Sequence, residues 1–416
     1  MASEIRVLHL STFDQGGAAT AALRLHAGLL QQGVKSSFMS LQQANPEKVS
    51  GMYKFKRKTR EKTLLDRIQT KLGNPVTQAK RNDLRMQDLK GDYETFSFPE
   101  TDHRVENDPM MQEVDIIHLH WISYFVNQRT FFNAINRPII WTFHDMNPVM
   151  GGFHYQGDLE RNPAFMQLEA QLRKEKLKYF SQGKNLTVVT PSRWLGEAAA
   201  HHEALGTKPR HHIPYGLNTS VFKPLDPDFS RTVFDFPPGK KIVLFVTERV
   251  SNYRKGFDLL MEAVRDISAD TPYVIVTIGN SNAELSSFPN VIALGRVHDE
   301  HLLSVLYSAA DVFVLPSRED NFPNVMLEAL ACGTPVIAFD TGGMAEVIQT
   351  GVNGILVKDI SSLALRGVLN DFLRGKFVFD RKAIRQNAVA QFDLSVQATR
   401  YKDLYTSVLS YQPVLR

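Results

Sequence analysis

The 416-residue sequence has one cysteine, Cys332. No intramolecular disulfide can form, and a reducing compartment is expected. No apolar run approaches the roughly 18 residues of a membrane span. Met1 to Arg6 lead straight into a strand pattern without the marks of a signal peptide. The expectation is a cytoplasmic protein. Charge of one sign is also scarce. Lys and Arg number 48 against 44 Asp and Glu, a net +4, which excludes a strongly cationic, histone-like binder. No nucleophile elbow, P-loop lysine motif or Cys/His zinc spacing occurs. Apolar residues make up 43% and charged ones 22%, ordinary for a globular chain, and the length favours two domains.

What is present is strand then helix, repeated. Arg6 to Leu10 reads as a buried strand, followed by a helix from Ala18 to Leu30. Further strand patterns lie at 114–119, 138–143 and 186–190. After residue 240 the pattern restarts, with strands at 241–246, 273–278, 291–294, 312–315 and 335–339 and helices at 256–267 and 300–309. Apolar strands alternating with amphipathic helices imply parallel sheets covered on both faces. IPYGLNTSVFKPL, 213–225, lacks periodicity and reads as a linker. Asp226 and Asp228, flanking Pro227, read as turn residues rather than metal ligands. Two doubly wound domains so joined are expected to bind ligands at the carboxyl ends of their strands.

Charge is unevenly spread. Lys54 to Arg85 holds eleven basic and three acidic residues, a local excess of +8, which leaves −4 for the remainder. Leu64, Leu65, Ile68 and Leu72 fall at helical spacing within it. A basic amphipathic helix here suits an anionic membrane surface or a pyrophosphate-linked lipid acceptor; a solvated insertion accounts for it equally well. Aromatic residues are sparse in the stretch, which argues against nucleic acid.

Several loops carry chemistry. Gly16 and Gly17 follow the first strand and allow a phosphate or sugar oxygen to approach a helix N-terminus, or simply make a tight turn. Arg249 and Lys255 follow the strand at 241–246 and could neutralise a diphosphate. In PSREDNFPNVMLEALACGTPV, 316–336, Asp320 precedes a helix expected from Pro323 to Cys332. The N–H groups of Asn321, Phe322, Asn324 and Val325 lie near that helix start. Glu328 sits in an apolar turn and needs donors such as ribose hydroxyls if buried. His118, His120 and Trp121 end one strand, and His144 ends the next. Each histidine fits either proton chemistry or a structural hydrogen bond.

PSREDNFPNVMLEALACGTPVIA, ERVSNYRKGFDLL and IPYGLNTSVFKP together resemble the retaining nucleotide-sugar glycosyltransferases of family 4, which have the GT-B fold. DIIHLHW and WTFHDMNPVMGGFHY are similar to bacterial members that build exopolysaccharide or lipid-linked units. The resemblance implies an α/β protein of two Rossmann-like domains, 1–215 and 216–390, with a final helix, 391–416, returning to the first. It implies a hexose, glucose above all, passed from a UDP-sugar to a polysaccharide or lipid-linked acceptor, without metal or cofactor. Arg249 and Lys255 would hold the diphosphate, Glu328 the ribose, and Arg296 and Val297 the base. Asp320, with the backbone from Asn321 to Val325, would meet the donor sugar and phosphate. His144 would lie beside the reacting sugar. Gly16 and Gly17 would approach the phosphate or acceptor, with His118, His120, Trp121 and Tyr155 on the acceptor side. The family usually has two glutamates where this chain has Asp320 and Glu328, and often glycine at Pro323. Alternatives are an epimerase, a phosphorylase or a silent binding subunit of the same fold. Peripheral contact with the inner face of a membrane is an added expectation.

Overall fold

The computed structural model describes residues 4–44, 49–56, 77–249, 251–267, 272–280, 288 and 290–410. The chain divides into two compact units: Met1–Ile213 with Ala398–Arg416, and Pro214–Gln397.

Among the described residues the first unit holds seven parallel strands. They are β1 (Arg6–Phe13), β2 (Lys35–Gln42), β3 (Met52–Lys54), β4 (Ile116–Leu119), β5 (Ile139–Thr142), β6 (Leu186–Thr190) and β7 (Arg210–His212). Their order is β3-β2-β1-β4-β5-β6-β7. β1, β4, β5 and β6 bury residues on both faces, so they read as near-continuous apolar runs. Leu8, Leu10, Ile117, Leu119 and Trp141 enter one core layer. Val7, Ile116, Ile140 and Val189 enter the other. That second layer is closed by Leu25 and Leu29 of the helix Gly17–Gln31 and by the helix Leu394–Ser410. Ala398, Tyr401 and Tyr405 recur there at i, i+3 and i+7, one face of a helix.

Among the described residues the second unit has six parallel strands: β8 (Lys241–Arg249), β9 (Tyr273–Asn280), β10 (Val291–Ala293), β11 (Val312–Leu315), β12 (Val336–Phe339) and β13 (Gly354–Val357). Their order is β10-β9-β8-β11-β12-β13.

The segment from Pro214 to Leu225 is not a loose linker. Leu217 and the 392–394 backbone exchange hydrogen bonds of 2.9 Å in both directions. Phe222 is fully buried, and the Lys223 and Leu225 N–H groups donate to Ser304 and Ser308. Lack of periodicity here reflects side-chain docking rather than freedom. Asp226 is likewise more than a turn residue: its carboxylate caps the helix Pro227–Val233 by accepting from the Phe229 N–H at 2.8 Å. The apolar spacing at Leu64, Leu65, Ile68 and Leu72 lies outside the described residues. The described part of the basic stretch includes the helix Gln78–Met86, which buries no residue.

Candidate functional site

In open parallel sheets ligands collect at the carboxyl ends of the strands where the strand order reverses. The reversals fall between β1 and β4 in the first unit and between β8 and β11 in the second.

At the first reversal the residues are imidazoles. His9 of β1 pairs in register with His118 of β4. His9 Nδ1 lies 2.8 Å from His120 Nε2, and His120 Nδ1 lies 3.0 Å from His144 Nε2. The three rings thus form one hydrogen-bonded row from the buried His9 to the half-buried His144. His118 is stacked on His120 but joined elsewhere: its Nδ1 meets Tyr405 Oη and its Nε2 meets Thr142 Oγ1, both at 2.7 Å. Thr142 in turn meets Tyr401. Both ring nitrogens of His118, a residue expected on the acceptor side, are therefore engaged with its own fold. His120 is committed in the same way to His9 and His144. Burial keeps the cluster neutral. It pushes His9, His118 and His120 well below 6.5, and His144 down to about 4 against an opposing pull from Asp145. His9, His118 and His120 can each bring a nitrogen within 4.8 Å of the others. The bonds just given occupy every one of these nitrogens except His9 Nε2, so the arrangement is a hydrogen-bond network rather than a ligand set.

The loop after β5 is built around Asp145. It accepts from the Trp121 indole at 2.7 Å, from His154 Nδ1 at 2.6 Å and from the Asn147 N–H at 2.9 Å. Burial alone would raise this carboxyl, but those partners hold it below the ordinary range. Glu169 gathers the N–H groups of Gly151, Gly152 and Phe153. The fully buried Lys176 donates to the carbonyls of Asn147 and Met150. Burial lowers its ammonium to about 7 despite the nearby Glu169. A Cβ at Gly151 would stand 2.1 Å from the Glu169 carbonyl, and one at Gly152 2.2 Å from Phe96, so the Gly-Gly pair is a packing requirement. Tyr155 is buried at the start of the helix Gln156–Arg161, and Trp121 is half-buried. Gly16 has φ +88 at the start of the helix Gly17–Gln31, a conformation that favours glycine.

At the second reversal the residues are charged. Lys255 Nζ lies 2.6 Å from Asp320 Oδ2, and Arg254 Nη1 lies 3.4 Å from the same oxygen. Asp320 is buried, and its other oxygen accepts from the Asn321 N–H. That N–H is therefore engaged with its own neighbour. Arg249 is exposed at the end of β8. The helix Asn324–Ala331 begins one residue later than expected, with Pro323 capping it in extended conformation and Phe322 buried beside it. Glu328 is buried on this helix and accepts from Tyr307 Oη at 3.0 Å, so a donor within the fold already answers its need. The three loops after β8, β11 and β12 interlock. A Cβ at Gly256 would stand 1.8 Å from the Pro316 carbonyl, and one at Gly342 1.9 Å from that of Asp320. Arg296 and Val297 follow β10, next to Gly295, whose carbonyl accepts from the Gly279 N–H.

Sequence reasoning missed His9, Glu169, Lys176, Arg254 and Tyr307. Their roles arise from packing across distant segments. Only the Gly151-Gly152 pair and the basic pair at 254–255 carried a local signal.

Residues 240–369 match the family model described as glycosyl transferases group 1. The second unit carries a group 1 glycosyltransferase domain. The chain is 29% identical over 322 residues to a D-inositol 3-phosphate glycosyltransferase of Streptosporangium roseum, covering 71% of this chain and 70% of that protein. It is 31% identical over 273 residues to D-inositol 3-phosphate glycosyltransferase 1 of Catenulispora acidiphila, covering 59% and 60%. Among solved structures it is similar to sucrose-phosphate synthase from Thermosynechococcus elongatus, with TM-score 0.68, 19% identity and coverage of 98% and 100%. It is also similar to Anabaena HepE in complex with UDP and glucose, with TM-score 0.64, 16% identity and coverage of 97% and 100%. The fold is GT-B: two Rossmann-like parallel-sheet domains.

Proposed function

We propose that this group 1 chain is a retaining, metal-independent hexosyltransferase that takes a UDP-sugar, with glucose as the transferred unit. The observation that carries the reading is the switch point of the second sheet, where Lys255 and Arg254 share the carboxylate of Asp320 beside the start of the helix Asn324–Ala331. Two cations at a helix N-terminus suit a diphosphate, whose departure with the bonding electrons is the costly part of glycosyl transfer. Arg249 would add a third cation, Glu328 would hold the ribose, Arg296 and Val297 the base, and His144 the transferred sugar.

Two acceptors are supported by different observations. The motifs around His120 and His144 support a polysaccharide or lipid-linked saccharide, made at the inner face of a membrane. The names of the relatives support a phosphorylated polyol instead. Among the described residues no helix is long and apolar enough to cross a membrane, so membrane contact would be peripheral.

The test is Lys255→Ala. Transfer from UDP-glucose, assayed with lipid-linked saccharide and with inositol phosphate as acceptors, should fall by two or more orders of magnitude. The fold should persist, because Asp320 keeps Arg254 and the Asn321 N–H. Full activity in this variant would overturn the assignment.

A further inference from the structure

We propose that His120, anchored on His9, is a positioning residue that holds His144 as its Nδ1–H tautomer, so that His144 meets its ligand as a hydrogen-bond donor and not as a base. The inference rests on the reading of His144 as the residue beside the transferred sugar.

Each neutral imidazole has one N–H and one bare nitrogen. His120 uses both nitrogens within the row, one toward His9 and one toward His144. It can donate in only one of these bonds and must accept in the other. Both bonds therefore point the same way along the row, and the tautomers of the three rings are tied together. Two arrangements remain. In one, every ring carries its proton on Nε2; in the other, every ring carries it on Nδ1.

The buried end decides between them. His9 is fully buried and its Nε2 has no hydrogen-bond partner. The nearest rings give it none: His26 spends its nitrogens on Ser36 Oγ and the Ser50 carbonyl, and Phe38 has none to offer. With protons on Nε2, His9 would bury an orphan N–H. With protons on Nδ1, it buries only an unpaired acceptor, the commoner exception in folded proteins. His9 Nδ1–H then donates to His120 Nε2, and His120 Nδ1–H donates to His144 Nε2. His144 accepts there, and its own proton sits on Nδ1. Because His9 Nε2 is closed off, no proton can enter to reverse the row, so His144 is no through-route for protons. A fixed donor suits the oxygen of a sugar hydroxyl or of a leaving phosphate.

The full chain labelled with 15N-histidine and examined by long-range proton–nitrogen correlation tests this directly, with His144→Gln assigning the His144 signals. Free histidine in water favours Nε2–H, so Nδ1–H at His9, His120 and His144 together is the expected and distinctive result. His120→Phe should move His144 toward Nε2–H. His120→Asn, which keeps a donor at the place of Nδ1, should leave it as Nδ1–H. An Nε2–H tautomer at any of the three in the wild type overturns the proposal, and so does a His144 signal unmoved by His120→Phe. Should that variant not fold, the wild-type spectrum alone decides. The measurement uses no substrate. Its failure leaves the transferase reading standing, and an active Lys255→Ala leaves the tautomer result untouched.

Discussion

The two units share a topology, but their switch points are furnished in opposite ways. Between β1 and β4 the groups are neutral imidazoles: the hydrogen-bonded row of His9, His120 and, at the half-buried edge, His144, with His118 stacked on His120 and bonded to Tyr405 and Thr142. Between β8 and β11 they are ionised: Lys255 and Arg254 on Asp320, with Arg249 exposed beyond. The same scaffold thus supplies a fixed set of dipoles in one unit and a cation pair in the other. Dipoles orient a neutral hydroxylated group without demanding charge from it. Cations stabilise a charged leaving group. On the proposed reading, the first unit would handle the sugar and the second the phosphates.

Acid should break this contrast first and most strongly. The folded first unit holds its buried histidines neutral below 6.5, whereas the unfolded chain protonates there. The folded state then binds fewer protons, so stability is lost as pH falls from 6.5 toward 4. His144 alone, moved from 6.5 to about 4, accounts for about 3 kcal/mol, and the deeper histidines add to it. The second unit has two histidines, His298 and His301, both exposed. The probes separate cleanly. Trp121, Trp141 and Trp194, the three tryptophans of the chain, lie in the first unit. Cys332, fully buried and with its thiol pushed by burial up to about 12, lies in the second. Tryptophan fluorescence should report unfolding between pH 6.5 and 4 while Cys332 stays unreactive when sampled with a thiol reagent. Simultaneous exposure of the thiol would show that the imidazole row does not set the acid limit.

Asp320→Asn sharpens the other side. It leaves Lys255 and Arg254 facing each other without their shared carboxylate. The cost should be roughly 3 kcal/mol, at the low end for a broken buried pair because Lys255 keeps some contact with water. The loss should appear as earlier labelling of Cys332 in urea, with the tryptophan midpoint unmoved. A shift of the tryptophan midpoint by the same amount would mean that the pair is not local to the second unit.

Much of the fold was legible because parallel strands buried on both faces must be apolar throughout. Val312–Leu315 and Leu186–Thr190 could be read on that ground alone. β2, KSSFMSLQ, could not, because Ser36 and Ser40 interrupt the apolar run while still facing inward. In the site, Lys255 and the apolar setting of Glu328 were visible. The partner of each was not: Asp320 reaches Lys255 across 65 positions and Tyr307 reaches Glu328 across 21. His9 was invisible for the same reason. Within HLS it is one histidine on a strand, and only the register with β4 makes it the end of a row.

The smallest expected effect concerns cations that take no part in either switch point. The first unit has its own, on the edge strand β3 and the helix Gln78–Met86, where Lys54, Lys80 and Arg81 are exposed. Arg85 differs from them. Its guanidinium bonds Glu175 at 2.9 Å and lies 5.3 Å from the Phe98 ring centroid. If this stretch meets an anionic surface, Lys80→Gln should weaken binding to phosphatidylserine-containing vesicles by about 1 kcal/mol, roughly fivefold. Arg85→Gln should leave vesicle binding unchanged and cost under about 1 kcal/mol of stability, the range of a partly exposed ion pair. Equal effects of the two on vesicle binding would show that Arg85 leaves Glu175 for the surface. No effect of Lys80→Gln would return these cations to the role of a solvated face.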